Sequence, residues 1–388
     1  MSTVLFDGAG HKNLQPLTFT RPVAHLRVGI LTIQEKWDMY LSQETGIRTK
    51  DYLNAKFEGQ DGEVDLGINA GLLPTEDLAE TILALKKDQI LMKNGEVLAI
   101  NPLPSADANM QKILKGSLLL EYDMDVDIVR RPWDIFKLNG EEIAKDFAIL
   151  THERESQPLH ESNTLIGEEE DIFIEEGAEI FAAILNTAEG PIYIGKDAVV
   201  MEGAMIRGGL ALCDHATIKM GAKIYGPTTI GPHSKVGGEV GNSVIIGYSN
   251  KGHDGYLGNS VIGEWCNLGA DTNTSNLKNN YGEVRVWSYN EQEAIPTGEQ
   301  FCGLIMGDHS KSSINTMFNT GTVVGVCSNV FDVGSPPKHV PSFSWAGQSK
   351  IEIFKLEKAY EVAERVMSRR SIDFTDVDKD ILKVISEL

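Results

Sequence analysis

Between positions 251 and 276 the chain reads Lys251-Gly-His253-Asp-Gly-Tyr256-Leu-Gly258-Asn259, then Asn267-Leu-Gly-Ala270, then Asn276. These residue types suit acyl transfer. An amine attacks a thioester only when it is neutral, and an imidazole with an ordinary pKa of about 6.5 takes up its proton near neutral pH. Taken alone, His253 reads more readily as a loop histidine that only hydrogen-bonds a neighbouring coil. A second pattern opens the chain: Leu5-x-x-Gly8-x-Gly10-x-Lys12, then Leu14-x-Pro16-x-Thr18, then Arg21-Pro22. Glycines let backbone N–H groups approach a phosphate chain, and basic residues neutralise a transferring phosphoryl group.

Such residues need a scaffold, and the middle of the chain supplies one by repetition. From Ile194, steps of six give Val200, Ile206, Leu212, Ile218, Ile224, Ile230 and Val236. Small residues stand mostly four positions after each: Ala198, Ala204, Ala216, Ala222, Thr228 and Ser234. The period predicts a parallel β-helix in which each six-residue unit is one short strand and one turn, and three units close a triangular coil. The series resumes as Tyr256, Ile262, Leu268 and Thr274, and again as Met306, Ser312, Phe318, Val324 and Val330. Two interruptions, Asn242–Gly255 and Leu277–Phe301, read as loops projecting from the coil, where binding residues are commonly carried. His215 and His233 each follow a ladder position by three and should stack. His309 has the same phase farther along, so zinc is weighed and solvated turn histidines preferred.

Residues 1–155 read as an α/β domain. Val4–Phe6 predicts a strand, Leu31–Tyr40 and Thr75–Lys87 helices, Ile90–Met92 and Val97–Ile100 a hairpin about Asn94-Gly95, and Pro132 a helix running on through Phe136. Residues 165–333 are the β-helix. Residues 334–388 read as a Pro/Ser-rich linker over 334–345 and a helical tail, with an amphipathic helix over Ile351–Ser368 covering the coil end.

The formal charge of −21, from 35 basic and 56 acidic side chains, argues against a nucleic-acid surface. No apolar run reaches a membrane span, and Leu5-Phe6 is followed at once by Asp7, so the expectation is a cytoplasmic protein. The four cysteines form no close Cys-x2-Cys pair and read as reduced core thiols, with no metal site expected.

The 251–276 segment resembles the acetyltransferase domain of the bifunctional UDP-N-acetylglucosamine pyrophosphorylase/glucosamine-1-phosphate N-acetyltransferase family. There the stretch reads Lys-x-Gly-His-x-x-Tyr-Leu-Gly-Asp, then Asn-x-Gly-Ala-Gly, then an Asn within Cys-Asn-Tyr. The N-terminal pattern is similar to the nucleotide loop of sugar nucleotidylyltransferases. Here Lys12 replaces an Arg and Val23 a Lys. In the other segment Asp271, Ser275 and Leu277 replace Gly, Cys and Tyr, and two basic residues of the family have no clear counterpart near Lys223 and Gly241.

The resemblance implies an α/β nucleotidylyltransferase-like domain followed by a left-handed hexapeptide β-helix and C-terminal helices. It implies a multifunctional transferase of nucleotide-sugar and cell-envelope biosynthesis, and a homotrimer. His253 would be the general base, with Tyr256, Asn267, Asn276 and Lys251 binding substrate. Gly8, Gly10, Lys12 and Arg21 would meet the nucleotide. Acetyl-CoA, a sugar 1-phosphate, a nucleoside triphosphate (UTP or dTTP) and Mg2+ for the nucleotidyl step are the implied ligands. Nucleotidyl transfer alone, or a non-catalytic trimeric scaffold, are the alternatives.

Overall fold

The structure, a computed structural model, describes residues 2–331, 335–347 and 350–388. Chain contacts divide it into two units. The first is built from 1–14, 20–26 and 31–131, and the second from 15–19, 27–30 and 132–388.

The first unit is a sheet of six strands with helices. Its strands are β1 (Thr3–Phe6), β2 (Gly46–Arg48), β3 (Leu66–Asn69), β4 (Gln89–Lys93), β5 (Glu96–Asn101) and β6 (Leu118–Glu121), in the order β2-β1-β3-β5-β4-β6. Its helices are α1 (Gly10–Asn13), α2 (Ile33–Leu41), α3 (Asp51–Phe57), α4 (Glu76–Leu83) and α5 (Met110–Gly116). β1 is parallel to β2 and β3, and β5 is antiparallel to both neighbours. Thr32 and Glu35 close a reciprocal capping box at the start of α2, and Thr75 caps α4. The β4–β5 hairpin turns on Asn94 and Gly95, both at positive φ, as an Asn-Gly turn requires.

The second unit is a parallel β-solenoid. Its three faces carry sheets of six, nine and ten strands, and successive coils pair in register eighteen residues apart, as Leu210 with Thr228 and Val199 with Thr217 do. Every member of the ladder from Ile194 to Val236 is buried. Each inward Ile or Val takes about 1.5–3 kcal/mol from burial, so the stack is held by one continuous apolar column rather than by any single coil.

The first interruption is not a projecting loop. Strands Val244–Gly247 and Asn250–Lys251 continue two faces, and the register shortens to fifteen residues (Ile230 to Ile245, Val236 to Lys251) and then seventeen (Ile245 to Ile262). The coil has lost turn residues, which shifts the phase. In consequence Leu257, fully buried and paired with Val240, takes the inward position expected of Tyr256, and Tyr256 faces outward beside Glu239. The second interruption is a true insertion: Ile262 pairs with Met306, and between them a stem closed by the Leu277–Phe301 bridge carries an antiparallel hairpin, Arg285–Ser288 with Glu293–Pro296. The hairpin lies back on the coil, with Trp287 stacked on His339 at 4.3 Å between ring centres.

The helix expected from Pro132 is present, and two further expectations are corrected. The helix opened by Pro132, α6 (Pro132–Thr151), runs for twenty residues and packs on the solenoid: Ile143 lies among Phe173, Tyr193 and Ala211, and Asn139 donates to the Pro227 carbonyl. The expected linker is in fact the last coil, with His339–Val340 and Ser344–Ala346 adding strands to two faces; positions 332–334 lie outside the described residues. The open edge is covered by a returning strand, Ile351–Ile353, antiparallel to Ser344–Ala346. The helix that follows, α7 (Leu356–Ser368), is shorter than expected and ends with the Arg370 guanidinium donating to the His233 carbonyl, far down the flank of the coil; α8 (Asp376–Glu387) then packs on α7.

Candidate functional site

Lys251 determines the shape of the turn that bears His253. It occupies an inward ladder position where the chain otherwise places Val236 and Leu268, and is only 3% exposed. An ammonium there must find acceptors. Its three protons go to the carbonyls of Gly237 (3.1 Å), His253 (2.5 Å) and Asp254 (3.2 Å), and burial lowers its pKa to about 8. Lys251 was expected to bind substrate. With all three donors spent on backbone, it instead fixes the 252–255 turn from inside.

The same turn is held from below and above. A Cβ on Gly238, at φ +72°, would lie 2.8 Å from the His253 carbonyl oxygen; one on Gly255, at φ +110°, would lie 2.2 Å from the Thr272 carbonyl oxygen. Glycine at both positions lets adjacent coils close on the turn. The His253 side chain itself is exposed at this corner.

One face away from the corner, Tyr256, Asn276 and Asn259 meet. Asn276 Nδ2 donates to the Tyr256 hydroxyl (2.9 Å) and to Asn259 Oδ1 (2.7 Å). The Tyr256 hydroxyl also bonds that of Tyr225, which donates to Glu239 Oε1 at 2.6 Å. Gly258 makes the room: a Cβ there would sit 2.2 Å from the Tyr256 hydroxyl and 2.7 Å from Asn276 Nδ2. Burial raises the Tyr256 pKa, so the phenol is a neutral donor and acceptor at physiological pH.

Asn267 does not join this group. It lies on the neighbouring face, where Asn250 Nδ2 donates to its Oδ1 at 2.9 Å. Within one chain, then, Lys251, His253, Tyr256 and Asn276 are gathered about one corner and the face beside it, and Asn267 stands across that corner. Sequence reading named Gly258 and Asn259 within the motif but gave them no role, and missed Tyr225 and Glu239. The signal for Gly258 was its pairing with Gly241 one coil below, a column without side chains beside tyrosines. Lys223, Glu239 and Tyr256 share one outward row, so a basic residue does stand two coils below the tyrosine.

The histidine phase resolves into an aromatic column. His215, His233, Tyr248, Trp265 and His309 occupy equivalent left-handed corner positions (φ +52° to +60°) and stack ring on ring at 4.6, 4.9, 4.3 and 6.2 Å. Two rings separate His309 from His233, and among the described residues no group of three or more metal-binding side chains forms. All four cysteines are buried thiols.

In the first unit the glycine segment is a closed turn. Gly10 N donates to the Asp7 carbonyl and opens the four-residue α1, leaving Lys12 exposed and Arg21 buried. Asp7 accepts from Val23 N (2.9 Å) and Thr49 Oγ1 (2.6 Å), and burial pushes its pKa to about 6. That carboxylate is committed to the fold and does not offer a ready Mg2+ ligand.

The chain joins an N-terminal α/β domain to a β-solenoid of hexapeptide repeats and C-terminal helices. Residues 3–155 match the sugar nucleotidyl transferase family. The chain is a distant homologue of bifunctional enzymes. It is 28% identical over 145 residues to a bifunctional sugar-1-phosphate nucleotidylyltransferase/acetyltransferase of Sulfurisphaera tokodaii, covering 37% of this chain and 36% of that protein. It is 37% identical over 87 residues to the bifunctional protein GlmU of Methanocaldococcus jannaschii, covering 22% of this chain and 21% of the relative. The match thus spans about a third of the first relative's length and about a fifth of the second's. Among solved structures, an Arabidopsis UDP-N-acetylglucosamine acyltransferase aligns over 58% of this chain and 88% of its own, at 13% identity and a TM-score of 0.22. No helix among the described residues is long and apolar enough to cross a membrane.

Proposed function

We propose that the solenoid transfers an acetyl group from acetyl-CoA to the amine of an amino-sugar 1-phosphate, and that the N-terminal domain transfers a nucleotidyl group from UTP or dTTP to a sugar 1-phosphate. The observation that carries the first activity is the Tyr256–Asn276–Asn259 cluster beside the clamped turn of His253. Exposed at a corner, His253 takes the proton of the attacking amine as the new C–N bond forms, and the C–S bond breaks to release the CoA thiol. Tyr256 and Asn276 orient the acceptor sugar. Asn267 faces away from them in the same chain, which favours a site completed by a second copy; a trimer is the assembly that the family resemblance implies.

The nucleotidyl activity is supported by the family match over 3–155. Gly8, Gly10, Lys12 and Arg21 are its proposed nucleotide residues, with Mg2+ held largely by triphosphate oxygens and water. Incubation with acetyl-CoA and glucosamine 1-phosphate, followed by free-thiol release, tests the first activity. His253→Ala should remain folded and lose roughly 10²- to 10⁴-fold in rate. Thiol release equal in both proteins would remove His253 from the reaction. Pyrophosphate release from UTP or dTTP with a sugar 1-phosphate tests the second.

A further inference from the structure

A cavity of about 490 Å³ opens where the last turn of α7 lies against the solenoid, lined among others by Lys235, Lys311, Arg369, Arg370 and Trp265. Four cations and no carboxylate line it, in a chain whose acidic side chains outnumber basic ones by 56 to 35. None of the four has an ion pair among the described residues. Lys311 donates to the His309 carbonyl at 2.8 Å and Arg370 to that of His233 at 3.3 Å, so their partners are neutral. Burial, Arg370, Lys219 and Arg369 together lower the pKa of Lys235, which marks like charges crowded without compensation. A fold does not gather such groups at low cost unless something negative sits among them.

We propose that this cavity is a binding site for a diphosphate group, with Lys235 and Lys311 as its floor and the Arg369–Arg370 pair as its clamp. Lysines supply point charges at the base, and arginines fork onto phosphate oxygens from the helix end. The volume suits a small polyanion, and Tyr248 and Trp265 add aromatic surface to the lining. Asn267, which the proposed acetyl transfer assigns to substrate binding, also lines the cavity, so the two sites adjoin; the diphosphate reading is carried by the four cations and does not require that transfer. Because α7 brings both arginines, ligand binding also ties down that helix.

Titration calorimetry of the full chain tests it, with inorganic pyrophosphate as the first probe, CoA as the second, and sulfate as the control for bulk charge. The expected result is saturable binding of pyrophosphate or CoA that sulfate at equal ionic strength does not reproduce. It should weaken at least about tenfold in Arg369→Ala/Arg370→Ala and persist in Lys12→Ala, which separates it from the nucleotide loop. Lys235→Ala leaves the helix anchor on His233 in place and should weaken binding likewise. Pyrophosphate binding identifies a free diphosphate as sufficient, and CoA binding alone identifies a nucleotide-borne one. No saturable binding of either probe, or binding unchanged in both variants, overturns the proposal.

Discussion

Asn276 Nδ2 donates to the Tyr256 hydroxyl at 2.9 Å, joining the coil that carries the His253 turn to the base of the inserted hairpin. Twenty residues of chain separate the two, yet they share one face of the solenoid. Asn276→Ala removes the donor to both Tyr256 and Asn259. The variant should keep its fold, lose about 0.5–1.5 kcal/mol per bond in chemical denaturation, and show a raised KM for the amino sugar. An unchanged KM would take Asn276 out of the acceptor site.

Gly258→Ala tests the same contact from the other side. Its φ is ordinary, so backbone strain is not at issue; the new methyl would fall 2.2 Å from the Tyr256 hydroxyl. The tyrosine must swing away, and acetyl transfer should fall by an order of magnitude while melting shifts only a few degrees. Tyr256→Phe in the Gly258→Ala background should then have little further effect on rate.

Lys251→Met keeps the length of the buried side chain and strands the Gly237 and His253 carbonyls, while that of Asp254 still accepts from Asp271 N. About 1–3 kcal/mol is expected per stranded group, so stability and acetyl transfer should fall together as the turn under His253 loosens. Because the folded pKa of Lys251, about 8, lies below its unfolded value near 10.5, the unfolded chain binds more protons between those limits. The contribution of this lysine to stability therefore rises as pH climbs from 8 to 10.5, and Lys251→Met should lack that rise in denaturation curves.

His339 carries an acid-side counterpart. Burial holds its pKa near 4 against an ordinary 6.5, under the Trp287 ring. Folding excludes its proton, so stability of the hairpin packing is full above about pH 6.5 and declines as pH falls toward 4. Trp287 fluorescence between pH 7 and 4 should report the release. His339→Phe should flatten the transition, and an unaltered profile would assign it to other groups.

The apolar ladder was legible because period six is a strong signal sustained over many coils, and Ile194 to Val236 all point inward. The shortened coil was not, since three missing turn residues leave no mark except a change of phase; reading Tyr256 as inward followed from stepping by six without counting the deficit. Lys251 was misassigned for the same reason: a basic residue in an apparent loop reads as a ligand group, and only the fifteen-residue register puts it inside. Asn267 stood close to Tyr256 in sequence, but two strands of a triangular coil separated by one corner face different directions. The cation cavity had no local pattern at all, because Arg369 and Arg370 arrive from the far end of the chain.

The returning strand Ile351–Ile353 has a consequence for assembly. A parallel stack ending on an unpaired strand is a template that a second stack could extend indefinitely. By folding one strand back antiparallel, with Glu352 on it and Lys350 just before it, the chain reverses the polarity a further parallel rung would need to copy. The last rung is thus a terminator. Trimming the chain after Ala346 should turn a particle of defined size into one that grows along its axis, visible as a concentration-dependent rise in light scattering.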